Sequence, residues 1–328
     1  MTDTIQTIRG PVPADALGRV LAHEHIASVH GAWGKLLPEP NPEWERVVLA
    51  HYTPLLSALV REHDCRTLVE VSPSWGGRGR RDLEVWAELS RRTGMNIVAT
   101  TGYLFGYAPL PASFHERSAE QIADEFIRDV EEGMAGTPVR AGMLKAHVPE
   151  NDDGAKFLKA IAISQRETGA SVLTCAGSHK FILDLLTGEG VPAERIVLSH
   201  ADAPHDLPGL LSLLRRGARV SFTLWGIRNP RLVGWPFGPV IPEDWSAKLL
   251  AAAVAEGFVE QVMFSMDYSA MGGFEGGRLK EDLYEVAGRD YLYLFTHVLP
   301  ALKNCGVSDA AVETMMHDNP RRMLLRGE

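Results

Sequence analysis

Short apolar, β-branched runs alternate with longer amphipathic stretches along most of the chain. The runs at Arg19–His23, Thr67–Val71, Asn96–Thr100, Arg140–Lys145, Ala170–Cys175, Arg195–His200, Arg219–Thr223 and Gln261–Asp267 predict eight strands. Several begin just after a turn residue, such as Gly94, Gly169 or Gly217. Between them, stretches such as Ala119–Glu132, Ala155–Thr168, Lys180–Leu186, Asp206–Arg215 and Ala247–Glu256 carry the helical period. A regular strand-then-helix alternation implies a parallel sheet with right-handed crossovers. Eight such units in 328 residues fit a single-domain (β/α)8 barrel of the TIM type, spanning 1–328, better than an open sheet. The segment from Asp290 onward reads as helices that close the barrel.

Two long loops interrupt the alternation. Leu224–Asp244 is rich in Gly and Pro, and Tyr268–Arg278 is rich in Gly. Both follow late strands, on the face where barrels place their active sites. Nothing reads as a linker, a low-complexity tract or a fixed-period repeat.

Composition narrows the class. Apolar residues make up 45% and charged residues 23%, as in a soluble globular protein. The net charge of −9 argues against non-specific binding to nucleic acid or an anionic membrane. The first residues, Met1-Thr2-Asp3-Thr4-Ile5-Gln6, lack the basic and apolar regions of a signal peptide, and Leu249–Val254 is too short to span a bilayer. Three cysteines, Cys65, Cys175 and Cys305, make no disulfide framework. The expected location is the cytoplasm.

The strand ends carry the chemistry. The first strand runs Val20-Leu21-Ala22 into His23-Glu24-His25. Residues i and i+2 of a strand share a face, so one segment aims two imidazoles at one point, the start of a divalent-metal site. The other apolar runs end in Lys145, Cys175, His200 and Asp267. In a barrel these ends meet at one mouth, the geometry of a metal-assisted hydrolase.

The chain resembles the phosphotriesterase-like family of the amidohydrolase superfamily. The resemblance runs through Ile5–Pro11, Leu17-Gly18 leading to His23-Glu24-His25, Ala141–Lys145, Leu198–Asp202, Phe264–Asp267 and Asp318–Arg322. It implies a binuclear centre, usually zinc, two ions per chain. His23, His25 and Asp267 would hold the buried metal, and His200 the more exposed one. Lys145, carboxylated on its side-chain nitrogen by carbon dioxide, would bridge the two. A water shared by two cations deprotonates near neutral pH, and Asp267 would orient that hydroxide and take its proton. The resemblance further implies a small-molecule substrate and a homodimer. A lactone or other carboxylic ester is the expected substrate, with a phosphotriester, or an amide or carbamate, as alternatives.

Two positions depart from the family pattern. Cys175 stands at the end of the fifth strand, where the family usually has a histidine. A thiolate is a good zinc ligand, but its charge would lower the Lewis acidity of the second metal. Otherwise Cys175 binds nothing and the site holds one metal, or His179, four residues on, substitutes. Thr223 ends the seventh strand where family members often have an acidic or histidine group, and Ala203 follows Asp202, which weakens any proton relay leading out from Asp267.

The remaining polar residues carry less weight. Tyr103 and Arg228 are candidate substrate contacts. Trp225 and Trp235 either shape the pocket or pack the loop. Asp202 either bonds a metal-binding histidine or caps the next helix. His147 and His205 read as neighbours of the site without a direct role. His30, His51, His63, His115, His297 and His317 read as surface or packing residues, Cys65 and Cys305 as buried thiols, and Glu24 as structural. The contrary reading is a binding barrel with a degraded site. Cys175 alone favours it, and His23, His25, Lys145, His200 and Asp267 oppose it.

Overall fold

A computed structural model describes residues 3–26, 42–73, 80–106, 110–175, 178–268 and 286–327, with the backbone of 274–275 and 278–279. A two-stranded hairpin, β1 (Thr4–Thr7) and β2 (Gly10–Pro13), precedes the barrel. The barrel strands are β3 (Arg19–Glu24), β4 (Cys65–Glu70), β5 (Asn96–Leu104), β6 (Met143–His147), β7 (Val172–Thr174), β8 (Ile196–Ser199), β9 (Arg219–Phe222) and β10 (Val262–Phe264). They form one parallel sheet in chain order. First and last strands meet where Asp267 N–H donates to the His23 carbonyl at 3.1 Å and His25 N–H to the Tyr268 carbonyl at 3.1 Å. The predicted (β/α)8 architecture holds.

The intervening helices are α1 (Pro42–His63), α2 (Arg80–Thr93), α3 (Ala119–Glu131), α4 (Asp152–Thr168), α5 (His179–Gly188), α6 (Leu207–Leu214) and α7 (Trp245–Ala255). The starts of four of them are set by side chains that satisfy free backbone donors. Ser118 and Gln121 form a capping box on α3, and Asn151, Ser178 and Asp206 cap α4, α5 and α6. The C-terminal segment is helical, as expected, and includes α8 (Leu299–Asn304), α9 (Asp309–Glu313) and α10 (Asn319–Leu324). A π turn precedes both α8 and α10, each of which has a proline, Pro300 or Pro320, in its first turn. Proline has no N–H to continue the regular ladder. Among the described residues, no helix is long and apolar enough to cross a membrane.

Strand alternation sorts side chains between two cores. Val20, Ala22, Val69, Val71, Val98, Met143, Leu173, Val197 and Met263 fill the barrel interior, and Ile5 of the hairpin and Met323 and Leu324 of α10 plug its N-terminal end. The alternate residues, among them Leu21, Leu68, Ile97, Leu144, Ile196, Val220 and Phe264, pack outward under the helices. The sequence pattern missed the hairpin and shifted several strand limits. Predicted strand 140–145 begins at Met143 and runs to His147, because Ala141 N–H is taken by the Asp129 carbonyl at the end of α3. Of the two long loops, that after β10 lies mostly outside the described residues, as does His30.

Candidate metal centre

The inward positions continue upward into the polar strand ends. Two residues beyond Met143 comes Lys145, two beyond Leu173 comes Cys175, and four beyond Met263 comes Asp267. On β3 simple alternation fails: Val20 and Ala22 point inward, which would send Glu24 inward too. A bulge corrects it. Leu21 pairs with Leu68 but Glu24 pairs with Glu70, so three steps on β3 match two on β4. Such a bulge re-aims every later side chain. His23 and His25 therefore face the mouth, while Glu24 turns into the wall.

His200 and Asp267 are brought in differently. Both are non-glycine residues with left-handed backbones, φ 59° and 47°. That conformation costs on the order of 1–2 kcal/mol for each such residue and concentrates at functional sites. Alternation from Val197 and Ser199 would point His200 outward; the left-handed turn swings it to the mouth.

The resulting cluster is tight. Asp267 Oδ1 lies 3.5 Å from His23 Nε2 and 3.2 Å from His25 Nε2, and its Oδ2 lies 4.0 Å from His200 Nδ1. Lys145 Nζ lies 3.4 Å from His23 Nε2. Cys175 Sγ lies 3.1 Å from His200 Nε2. One ligand atom from each of His23, His200 and Asp267 falls within 4.8 Å of the others. His23 Nδ1 is buried without a hydrogen-bond partner among the described residues. Imidazole nitrogens and a carboxylate so converged, one of them on a histidine whose other nitrogen is orphaned, fit a divalent cation.

Outside these groups sit supporting contacts. Ser72 Oγ is 2.5 Å from His25 Nδ1, and Thr223 Oγ1 is 2.5 Å from His200 Nδ1. Partners of this kind orient ligand imidazoles. Burial opposes ionisation of Asp267, but the His25 hydrogen bond and the charges of His200 and His23 hold its carboxyl far below the usual range. Burial and Lys145 push His23 well down, and burial lowers Lys145. Burial raises the Cys175 thiol, yet His200 and Lys145 pull it to about 7.

Not every expected contact reaches the mouth. Tyr103 is corrected: its hydroxyl meets Glu125 Oε2 at 2.9 Å and Arg117 Nη1 at 3.4 Å, and its ring packs among Phe114, Phe126 and Phe157. On β5 it is Gly102, one residue earlier, that lies against the Lys145 backbone, and Tyr103 alternates out beneath α3. Arg228 is exposed and pairs with Glu243. His179 is not in the cluster; its Nε2 meets the Ser199 carbonyl at 2.9 Å and its Nδ1 meets His205 Nε2 at 2.8 Å. Asp202 does neither thing expected of it. It accepts from the N–H groups of Thr223 and Leu224 and from Ser246, which ties the loop after β9 to α7, while Asp206 caps α6. Trp225 and Trp235 are buried in that loop, and Cys305 is partly exposed rather than buried.

Sequence reasoning missed Ser72, Glu70 and Arg289. Glu70 is buried, accepts from Ile26 and Ser72 N–H, and lies 3.9 Å from His25 Nδ1. Its apolar strand Leu68-Val69-Glu70-Val71 was the available signal, since a buried carboxylate requires partners.

The chain is 29% identical to a protein of Mycobacterium tuberculosis named phosphotriesterase homology protein, over 98% of both chains. It is 26% identical to the aryldialkylphosphatase of Saccharolobus solfataricus, over 93% of this chain and 94% of that one. It is 25% identical to the N-acetyltaurine hydrolase of Salmo salar, over 99% and 98%. A sequence model of the phosphotriesterase family matches residues 3–324, so the chain belongs to the phosphotriesterase family.

Proposed function

We propose that this protein is a binuclear, zinc-dependent hydrolase that cleaves a lactone or other carboxylic ester. The observation that carries the reading is the convergence of His23, His25, His200 and Asp267 on one point, two of them through left-handed turns. His23, His25 and Asp267 would hold the buried ion, His200 and Cys175 the outer one, and Lys145 both. The ions would supply a lowered water pKa and a Lewis acid for the electrophilic oxygen.

The chain's own residues prepare this chemistry. Burial lowers the Lys145 pKa and so favours its neutral amine, the form that adds to carbon dioxide to give a carbamate and a proton. Asp267 is held ionised and serves as the base that takes the proton from the attacking water. Among the described residues, Thr223 stands on His200 and Asp202 is engaged by the loop, which leaves no acidic relay there of the kind phosphotriester cleavage uses. That favours attack at a carbonyl. An amide is the second reading, supported by relatives named N-acetyltaurine hydrolase. A cytoplasmic homodimer acting on a small molecule completes the proposal.

A panel of lactones, aryl esters, N-acyl amines and phosphotriesters, run beside Asp267→Asn, tests it. Lactone or ester turnover lost in the variant supports the reading. Turnover of none of the four classes by zinc-loaded protein contradicts it.

A further inference from the structure

We infer that Glu24 and Arg289 form a clamp that holds Asp267 in its left-handed turn, which makes both of them positioning residues for the metal-binding carboxylate. The clamp's catalytic meaning rests on the hydrolase reading, but its contacts do not. Glu24 Oε1 accepts from Met266 N–H at 2.6 Å and from the Ser265 hydroxyl, and its Oε2 accepts from Tyr268 N–H at 2.8 Å. The N–H groups of the residues on either side of Asp267 are thus held by one carboxyl group. From the other side, Arg289 Nη2 donates to the Met266 carbonyl and, at 3.2 Å, to the Thr223 carbonyl, while Nε donates to the Trp225 carbonyl at 2.8 Å.

Arg289 therefore reaches both strained ligands. It meets Asp267 through Met266, and His200 through Thr223, whose Oγ1 touches the imidazole. Glu24 is fully buried and Arg289 is 2% exposed. Burying an ionisable group is costly unless it is saturated with hydrogen bonds, and burial pushes the Glu24 carboxyl up to about 8. An apolar side chain would fill either position if packing were the whole role. Here both side chains place hydrogen bonds on backbone groups of the turn around Asp267 and of the segment just past β9. The central residue of His23-Glu24-His25 thereby acquires a role, because the bulge that aims two imidazoles inward also aims the carboxylate at the closing strand.

Hydrogen exchange on metal-free protein tests the clamp, with Arg289→Met and Arg289→Lys compared over peptides covering 262–268, 219–225 and, as control, 96–104. The expected result is exchange faster by roughly tenfold or more in the first two peptides of Arg289→Met, unchanged exchange in the control, and Arg289→Lys in between. Metal retained after dialysis against a chelator should fall in the same order. Unchanged exchange, or an equal rise in all three peptides, overturns the clamp. If Arg289→Met does not fold, Glu24→Gln serves instead. Its amide keeps one acceptor and turns a donor toward the turn, so faster exchange confined to 265–268 is expected, and a uniform rise overturns the proposal. Wild-type protein that takes up no metal would defeat the hydrolase reading and leave the clamp standing.

Discussion

Cys175 Sγ lies 3.1 Å from His200 Nε2, between the ends of the neighbouring strands β7 and β8. The pair occupies the place where the resemblance leads one to expect two imidazoles. Cys175→Ala should bind about one metal ion fewer per chain than wild type, and Cys175→His should restore the count, since imidazole is an equally competent zinc ligand. Elemental analysis of the three proteins checks this. Equal metal content in wild type and Cys175→Ala would remove Cys175 from the ligand set.

Lys145 lies beside His23 and is 1% exposed. Protein equilibrated with carbon-13 bicarbonate and zinc should show a carbamate resonance that Lys145→Met lacks. A Lys145→Met spectrum identical to wild type would show that the lysine is not carboxylated.

Asp267→Asn offers a clean separation of chemistry from folding. Asparagine tolerates the left-handed conformation that Asp267 adopts, so the turn should persist. Loss of a proton-accepting group typically costs about 10²–10⁴ in kcat. We expect a fall of that size with thermal unfolding of the metal-free protein little changed, measured by steady-state kinetics and calorimetry. Wild-type kcat in the variant would exclude Asp267 as the base.

The strand ends were legible because the barrel's period is simple: an apolar run followed by His, Lys, Cys or Asp recurs at five of the eight strands. What stayed hidden depended on contacts between distant segments. The bulge on β3 appears only when β3 is paired with β4, and the left-handed turns at His200 and Asp267 have no glycine to mark them. Tyr103 lies near the end of β5 as Lys145 lies on β6, yet alternation sends it to the helix side. Arg289 sits in a polar stretch, Gly288-Arg289-Asp290, that carries no periodic signal. Glu24 read only as structural, because its partners on the closing strand, Met266 and Tyr268, are invisible in the sequence.

Asp129 predicts a pH dependence outside the mouth. Burial raises its carboxyl from the ordinary 3.8 to about 7, against the hydrogen bond from Thr101. The protonated form is thus favoured in the folded state. Its contribution is fully present below the unfolded value and is lost as pH rises toward and through 7. Asp129→Asn, which mimics the protonated form, should gain about 2 kcal/mol on wild type between pH 5 and pH 8. Urea unfolding of both metal-free proteins at the two pH values measures it. A constant difference would mean that Asp129 is ionised throughout.

Metal content of the purified wild-type chain, expressed with zinc and freed of loosely bound ions, tests the central claim most directly. About two zinc ions per chain are predicted, falling to none in a variant combining His23→Ala, His200→Ala and Asp267→Ala. A wild-type chain that retains no metal, or a triple variant that retains as much as wild type, would contradict the metal centre at these strand ends.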